Sequence, residues 1–278
     1  LRGSTVFGGQ PGFGGSALDE ADYISIAGSA SASALYGNSG EDSILIGGDA
    51  TATSLSGGAD NDLVSVAGAL SAGQIFGGSG VDSVIITGSL AGGAVVRLDG
   101  SGSTEEAADS ITLGNISSGV IYGESGADSF NLGGDAKKAT IYGGAQNDSL
   151  TINGDLNTGL FEGEAGKDSI FVTDLVKSTV KGGDGDDFVS ASGVISVDAI
   201  YGNSGDDSFV LTGAATSAST YGGAGDDSVT FGSTASKLVF EGGLGDDTAK
   251  ITGAVTGSSI YGDTSSATSG GDDSISIG

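Results

Sequence analysis

The 278-residue chain has no histidine, cysteine, methionine or tryptophan, one proline, and nine basic residues, of which Arg2 and Arg97 are the arginines. Without histidine or cysteine there is no imidazole base, no thiol nucleophile and no soft donor for zinc, iron or copper. Two arginines leave little with which to clamp a phosphate or carboxylate, and no disulfide can staple the fold. No apolar run has the length of a membrane span or a secretory leader. Thirty-six acidic residues against nine basic ones give a formal charge of −27. Such a surface repels nucleic acid and anionic membrane, and its carboxylates repel one another in any compact state. A cation is therefore expected.

Glycine is abundant, at 55 residues, and it recurs in step with aspartate. The aspartates form a series: Asp22, Asp42, Asp62, Asp82, Asp109, Asp128, Asp148, Asp168, Asp187, Asp207, Asp227, Asp247 and Asp273. The spacing is 20 residues, with 19 into Asp128 and Asp187, 27 into Asp109 and 26 into Asp273. A fixed period of this length marks a solenoid, one small unit copied along the chain. Taking the aspartate as zero, positions +2 and +4 are apolar, as in Ile44/Ile46, Val84/Ile86, Ile170/Val172 and Phe209/Leu211. That alternation describes a strand with one buried face. Position −7 is apolar as well, through Leu35, Leu55, Ile75, Ile141, Phe161, Val180 and Ile200, with Thr220 the exception.

Each unit thus offers two strands and two turns. One coil alone cannot bury its apolar positions, whereas stacked coils pair their backbone groups and join like residues into ladders. The expected fold is an all-β parallel β-helix or β-roll over 1–278, of about 13 coils, at roughly 4.8 Å per coil on the order of 60 Å long. The two longer units predict insertions near 99–108 and 263–270, read as surface loops from Asp99 to Glu106 and from Asp263 to Ser269, with contacts or further ion sites as their use.

The turn before each aspartate reads Gly182-Gly183-Asp184-Gly185-Asp186-Asp187, Gly222-Gly223-Ala224-Gly225-Asp226-Asp227 and Gly242-Gly243-Leu244-Gly245-Asp246-Asp247 in its fullest form. Glycine permits positive φ and leaves room for an ion between adjacent turns, and the aspartate supplies a hard oxygen at a fixed point. Oxygen-only donors in a flexible turn select Ca2+ over transition metals and over Mg2+. The candidate ligands are Asp42, Asp62, Asp82, Asp128, Asp148, Asp168, Asp187, Asp207, Asp227, Asp247 and Asp273, with Asp186, Asp206, Asp226 and Asp246 beside them. Asp22 and Asp109 fall in irregular turns. The competing reading is that these aspartates cap turns by accepting backbone N–H bonds, a task Asn or Ser performs almost as well. Neither replaces aspartate in this series.

The pattern resembles the haemolysin-type (RTX) calcium-binding repeat GGxGxDxUx. The resemblance implies a β-roll in a secreted bacterial protein, with calcium between stacked turns. That family usually carries the nonapeptide twice per coil. Here the second turn reads like Gly213-Ala214-Ala215-Thr216-Ser217, so several ions along one edge are expected.

Position −6 carries an interrupted aromatic row, Tyr36, Phe76, Tyr122, Tyr142, Tyr201, Tyr221 and Tyr261, broken by Ser56, Glu162, Lys181 and Glu241. Facing outward, it suits another chain or a sugar, while the plainer and favoured reading is that the rings cover the glycine turns of neighbouring coils. Paired carboxylates could in principle hydrolyse glycosides, but every acidic row here follows the repeat, so no enzyme is expected. Ice binding calls for a regular threonine face, and position +3 runs through Ser25, Leu45, Ser65, Ile85, Thr112 and Phe171 instead. The chain opens in the repeat-like Val6-Phe7-Gly8-Gly9 and closes on Ile275-Ser276-Ile277. We therefore expect a segment of a larger polypeptide, or a subunit whose ends neighbours cover. The functional expectation is a calcium-stabilised solenoid of a bacterial surface layer, sheath or filament, secreted to the cell surface. Its partners would be copies of itself and, secondarily, cell-surface polysaccharide. A calcium-folded adhesin or type I secretion module attached to a separate effector domain is the alternative.

Overall fold

The computed structural model describes residues 1–8, 20–99, 107–196, 199–263 and 270–278. The chain divides into two compact units, Leu1–Tyr142 and Gly143–Gly278. Each is a parallel β-solenoid, the two contain about 12–13 coils of roughly 20 residues, and the described residues hold no helix.

Three strand segments, rather than two, make a coil. In one coil of the first unit they are Ser43–Ile46 after the aspartate, the two-residue Ala50–Thr51, and Ser54–Ala59 leading into the next glycine turn. Successive coils pair in register without crossing. Ile44 lies beside Val64 and Val64 beside Val84, while Leu35, Leu55, Ile75 and Val96 follow one another on another face. The additional face carries Ala30, Ala50, Leu70 and Leu90, all buried. In the second unit the same scheme places Leu160–Ala165, Thr179–Asp184, Ala199–Ser204, Ser219–Ala224 and Val239–Leu244 side by side.

The reason for the register is the core. Positions +2, +4, +8 and −7 point into a narrow interior and are almost all closed to solvent, including Ile46, Leu55, Val66 and Ile86 in the first unit and Phe161, Phe209 and Phe240 in the second. Each such side chain contributes about 1.5–3 kcal/mol by leaving water. A one-residue slip would send a whole row outward, so the period of the sequence is also the period of the stack.

Corners are set by backbone conformation. The turn passes through positive φ at −4 and −2, seen at Gly183 (133°) and Gly185 (126°), which explains two of its glycines. The corner after the short strand also takes positive φ, at Ala32 (47°), Ala52 (47°), Ser217 (54°) and Lys237 (53°). Glycine stands there in few coils, as at Gly92 (63°) and Gly257 (61°), so the sequence carries little sign of this third corner. Of the two insertions, 100–106 and 264–269 lie outside the described residues. Asp99 itself is wholly buried, contrary to its reading as part of a surface loop.

Candidate functional site

The repeat aspartates do not project from the turn. They point inward and are 1–4% exposed from Asp42 to Asp247, while Asp273 is half-buried. Within each unit Oδ1 of a repeat aspartate accepts the backbone N–H of the repeat aspartate one coil earlier. Asp62 Oδ1 takes Asp42 N–H at 2.8 Å, and Asp82 Oδ1 takes Asp62 N–H at 2.8 Å. In the second unit Asp168, Asp187, Asp207, Asp227, Asp247 and Asp273 receive the N–H groups of Asp148, Asp168, Asp187, Asp207, Asp227 and Asp247 at 2.7–3.0 Å. Asp22 and Asp109, read as irregular, belong to the same ladder. Asp22 N–H donates to Asp42, Asp82 N–H to Asp109, and Asp109 N–H to Asp128, at 2.7–2.8 Å. Turn capping is thus one part of what these residues do.

Capping uses one oxygen of two. Oδ2 of Asp62, Asp82, Asp168, Asp187, Asp207, Asp227 and Asp247 is buried and has no hydrogen-bond partner. It sits beneath the glycine at −5. A Cβ added at Gly57, Gly182, Gly202 or Gly222 would come within 1.9–2.3 Å of the Oδ2 of Asp62, Asp187, Asp207 or Asp227. The two leading glycines therefore have separate tasks: the first makes room for a carboxylate oxygen, and the second takes positive φ. A glycine carbonyl of the following coil borders the same gap, 2.5–2.6 Å from the missing Cβ, through Gly77 O at Gly57, Gly222 O at Gly202 and Gly242 O at Gly222.

Such an oxygen is costly as an anion. Burial, opposed by the amide bond and reinforced by neighbouring carboxylates, pushes Asp82 and Asp207 up to about 8. The same causes take Asp62, Asp187 and Asp227 to about 7. Burial raises Asp128 to about 7, and Asp168 and Asp247 to about 6. A stacked row of such desolvated carboxylates is only partly ionised at neutral pH, and a cation between them would favour the charged form.

The residues at −1 form a second ladder on the exposed rim, running the other way. Asp186, Asp206 and Asp226 accept the N–H of Asp206, Asp226 and Asp246 at 2.8–3.0 Å, and Asp246 accepts that of Asp272 at 2.8 Å. Asn61 and Asn147 do the same for Val81 and Lys167, both at 2.7 Å. Asparagine serves at −1, so charge is dispensable there. Lys167 pairs with Asp186 and holds its carboxyl below the usual range. Sequence reasoning missed a third ladder at the opposite turn, where Asp49, Asn115 and Asp174 accept the N–H of Ala69, Asp135 and Val194. Its residue types vary too much to be noticed as a series. Among the described residues no three acidic side chains converge as a ready-made metal cluster. An ion at the repeat edge would draw on carboxylates one coil apart together with glycine carbonyls, a donor set of hard oxygens that fits calcium.

The aromatic row at −6 faces outward and stacks. Phe7 and Tyr36 have centroids 5.3 Å apart, Tyr122 and Tyr142 5.1 Å, and Tyr201 and Tyr221 5.0 Å, with interplanar angles of 10–17°. Where Glu162 and Lys181 interrupt the row, a surface groove of about 660 Å³ opens in the second unit, bordered by Asp184, Tyr201 and Asn203. Lys181 Nζ lies 3.3 Å from both oxygens of Glu162. No described helix is long and apolar enough to cross a membrane.

No protein-family model matches the sequence, and no curated protein does. The fold is similar to the X-ray structure of a hyperactive, Ca2+-dependent, β-helical antifreeze protein from an Antarctic bacterium. Identity is 21%, the match covers 98% of this chain and 83% of that one, and the TM-score is 0.60.

Proposed function

We propose that this chain is a calcium-hardened structural solenoid of a bacterial surface layer, sheath or filament, secreted and assembled with copies of itself. One observation carries the reading: the buried row of aspartate oxygens left without partners, each facing a glycine gap bordered by a carbonyl of the next coil. Asp42, Asp62, Asp82, Asp128, Asp148, Asp168, Asp187, Asp207, Asp227, Asp247 and Asp273 would be the principal ligands. Asp186, Asp206, Asp226 and Asp246 on the rim would lower the local potential. Calcium bound there neutralises the edge and couples folding to a calcium-rich exterior, because ligands scattered in the unfolded chain are assembled only in the stack. The Ca2+ dependence of the structurally similar antifreeze protein supports the choice of ion.

Ice binding is not part of the proposal. Position +3 exposes Phe171 to 43% and carries Leu45, Ile85 and Lys250 among its hydroxyls. A second reading, a calcium-folded adhesin or secretion module, is favoured by the groove at Tyr201. An aromatic face flanked by carboxylates and an amide suits a polysaccharide. Circular dichroism with and without a calcium chelator, followed by electron microscopy of the calcium-loaded protein, tests the structural reading. It expects a calcium-dependent β spectrum and ordered sheets or fibres. Dispersed monomers that bind cell-surface polysaccharide, and lose it on Tyr201→Ala, would favour the adhesin.

A further inference from the structure

In the first unit the strands that follow the repeat aspartates turn positions +2 and +4 inward and positions +1 and +3 outward. The outward side chains form two in-register rows. One runs from Tyr23 through Leu63 to Ser129, the other from Ser25 through Leu45, Ser65 and Ile85 to Asn131. Neither row holds a charged residue, in a chain whose formal charge is −27. The rest of this unit's surface is different. Arg97 and Glu124 stand on the aromatic face, Lys137 on the short-strand face, and Glu41 and Asp49 are exposed at the turns. In the second unit the corresponding outward rows carry one charge, Lys250.

The uncharged face has an aliphatic centre within a hydroxyl surround. Leu45 and Ile85 flank Ser65 in one row, and Leu63 lies between Ser43 and Ser83 in the other, all of them half-buried. A hydroxyl both donates and accepts, so a serine row can meet a second serine row in either direction. Such a surface is complementary to itself, as a two-fold contact between identical chains requires. Faces that carry carboxylates are not, because pairing them sets like charges against one another. A sugar is less well served, since the centre of this face has no aromatic ring on which to stack. Six strands about 4.8 Å apart and four residues of about 3.3 Å each cover roughly 380 Å², against about 800 Å² per partner in a standard stable interface. One pair of units is therefore held weakly, and the contact gains strength where many copies repeat it.

We infer that this uncharged face is the surface through which copies of the chain pair, sheet against sheet at about 10 Å. The inference deepens the structural reading, in which copies assemble, and rests on it. Carboxylates on the turns and the remaining faces oppose association elsewhere, so one face governs the order of the assembly.

The chain has no cysteine, so a thiol introduced by Ser65→Cys is its sole thiol. In millimolar calcium the wild type should associate as its concentration rises, and Ser65→Cys should give covalent dimers with a short bis-maleimide. Ser56→Cys, at a half-buried serine of the aromatic face, should not. Ser65→Glu should raise the concentration at which association begins by about tenfold or more, read by sedimentation velocity, and Ser56→Glu should leave it unchanged. Association untouched by Ser65→Glu, or cross-linking through Ser56→Cys alone, overturns the face and leaves the structural reading in place. A wild type that stays monomeric at every concentration in calcium overturns both. A monomer that takes up neutral polysaccharide and loses it on Ser65→Glu assigns the face to a sugar instead. Should Ser65→Glu not fold, the two cysteine variants, each changing a single atom, decide the matter.

Discussion

The claim that the first turn glycine exists to house a carboxylate can be tested at Gly222. A methyl group there would lie 2.2 Å from Asp227 Oδ2 and 2.5 Å from Gly242 O. Restoring ordinary contact, about 3.4 Å, needs the Asp227 oxygen to move by about 1.2 Å (3.4 − 2.2). A shift of that size pulls Oδ1 away from Asp207 N–H, now 2.8 Å distant. The loss combines about 1–3 kcal/mol of overpacking with about 1 kcal/mol or more for the broken amide bond. We expect Gly222→Ala to cost about 2–4 kcal/mol in calcium-loaded urea denaturation. The control is Gly28→Ala, at a glycine whose added Cβ meets nothing within 4 Å and whose φ is not positive, expected to change stability by less than about 0.5 kcal/mol. If the two variants unfold at the same urea concentration, the carboxylate is not lodged under the glycine and the reasoning fails.

Three further outcomes follow from the same geometry. In chelator, stability should decline as pH rises: the folded-state values of about 6–8 lie above the unfolded value of about 3.9, so the contribution of these aspartates is full below about pH 4 and lost between pH 6 and 8. In calcium the trend should reverse, since the ligands must be deprotonated, and thermal melts at pH 5 and 8 with and without the ion would check both signs. Asp207→Asn keeps the acceptor for Asp187 N–H and places an amide donor beside the Gly222 carbonyl. It should raise Tm in chelator and lower it in calcium, whereas pure capping predicts no change of sign. Thr220→Val removes a hydroxyl that is 0% exposed and without a hydrogen-bond partner, and should stabilise the protein by about 1–2 kcal/mol in either condition, read by denaturation.

The solenoid was legible because its apolar ladders are long and its period strict: Ile44, Val64 and Val84 predict a stack from their spacing alone. The third face was not. Ala50–Thr51 and Leu70–Ser71 are too short to show alternation, and the corner beside them bends at Ala52 and Ala72 with no glycine to announce it. At the candidate site the sequence identifies the right aspartates but not their direction. A carboxylate buried under a glycine and one exposed on a turn leave the same letters, and only the stacked coils show that Asp62 is buried while Asp186 is on the rim. The interruption at Asp99 hid its meaning for a similar reason. A break in a repeat reads as a loop, although here its first residue ends a strand and is wholly buried.

The most direct measurement is a high-resolution electron-density map of the protein crystallised in ample calcium. The account predicts ion peaks recurring once per coil beside the second oxygens of Asp187, Asp207, Asp227 and Asp247. Those oxygens bare of any ion, with the carboxyl groups held by backbone amides alone, would contradict it.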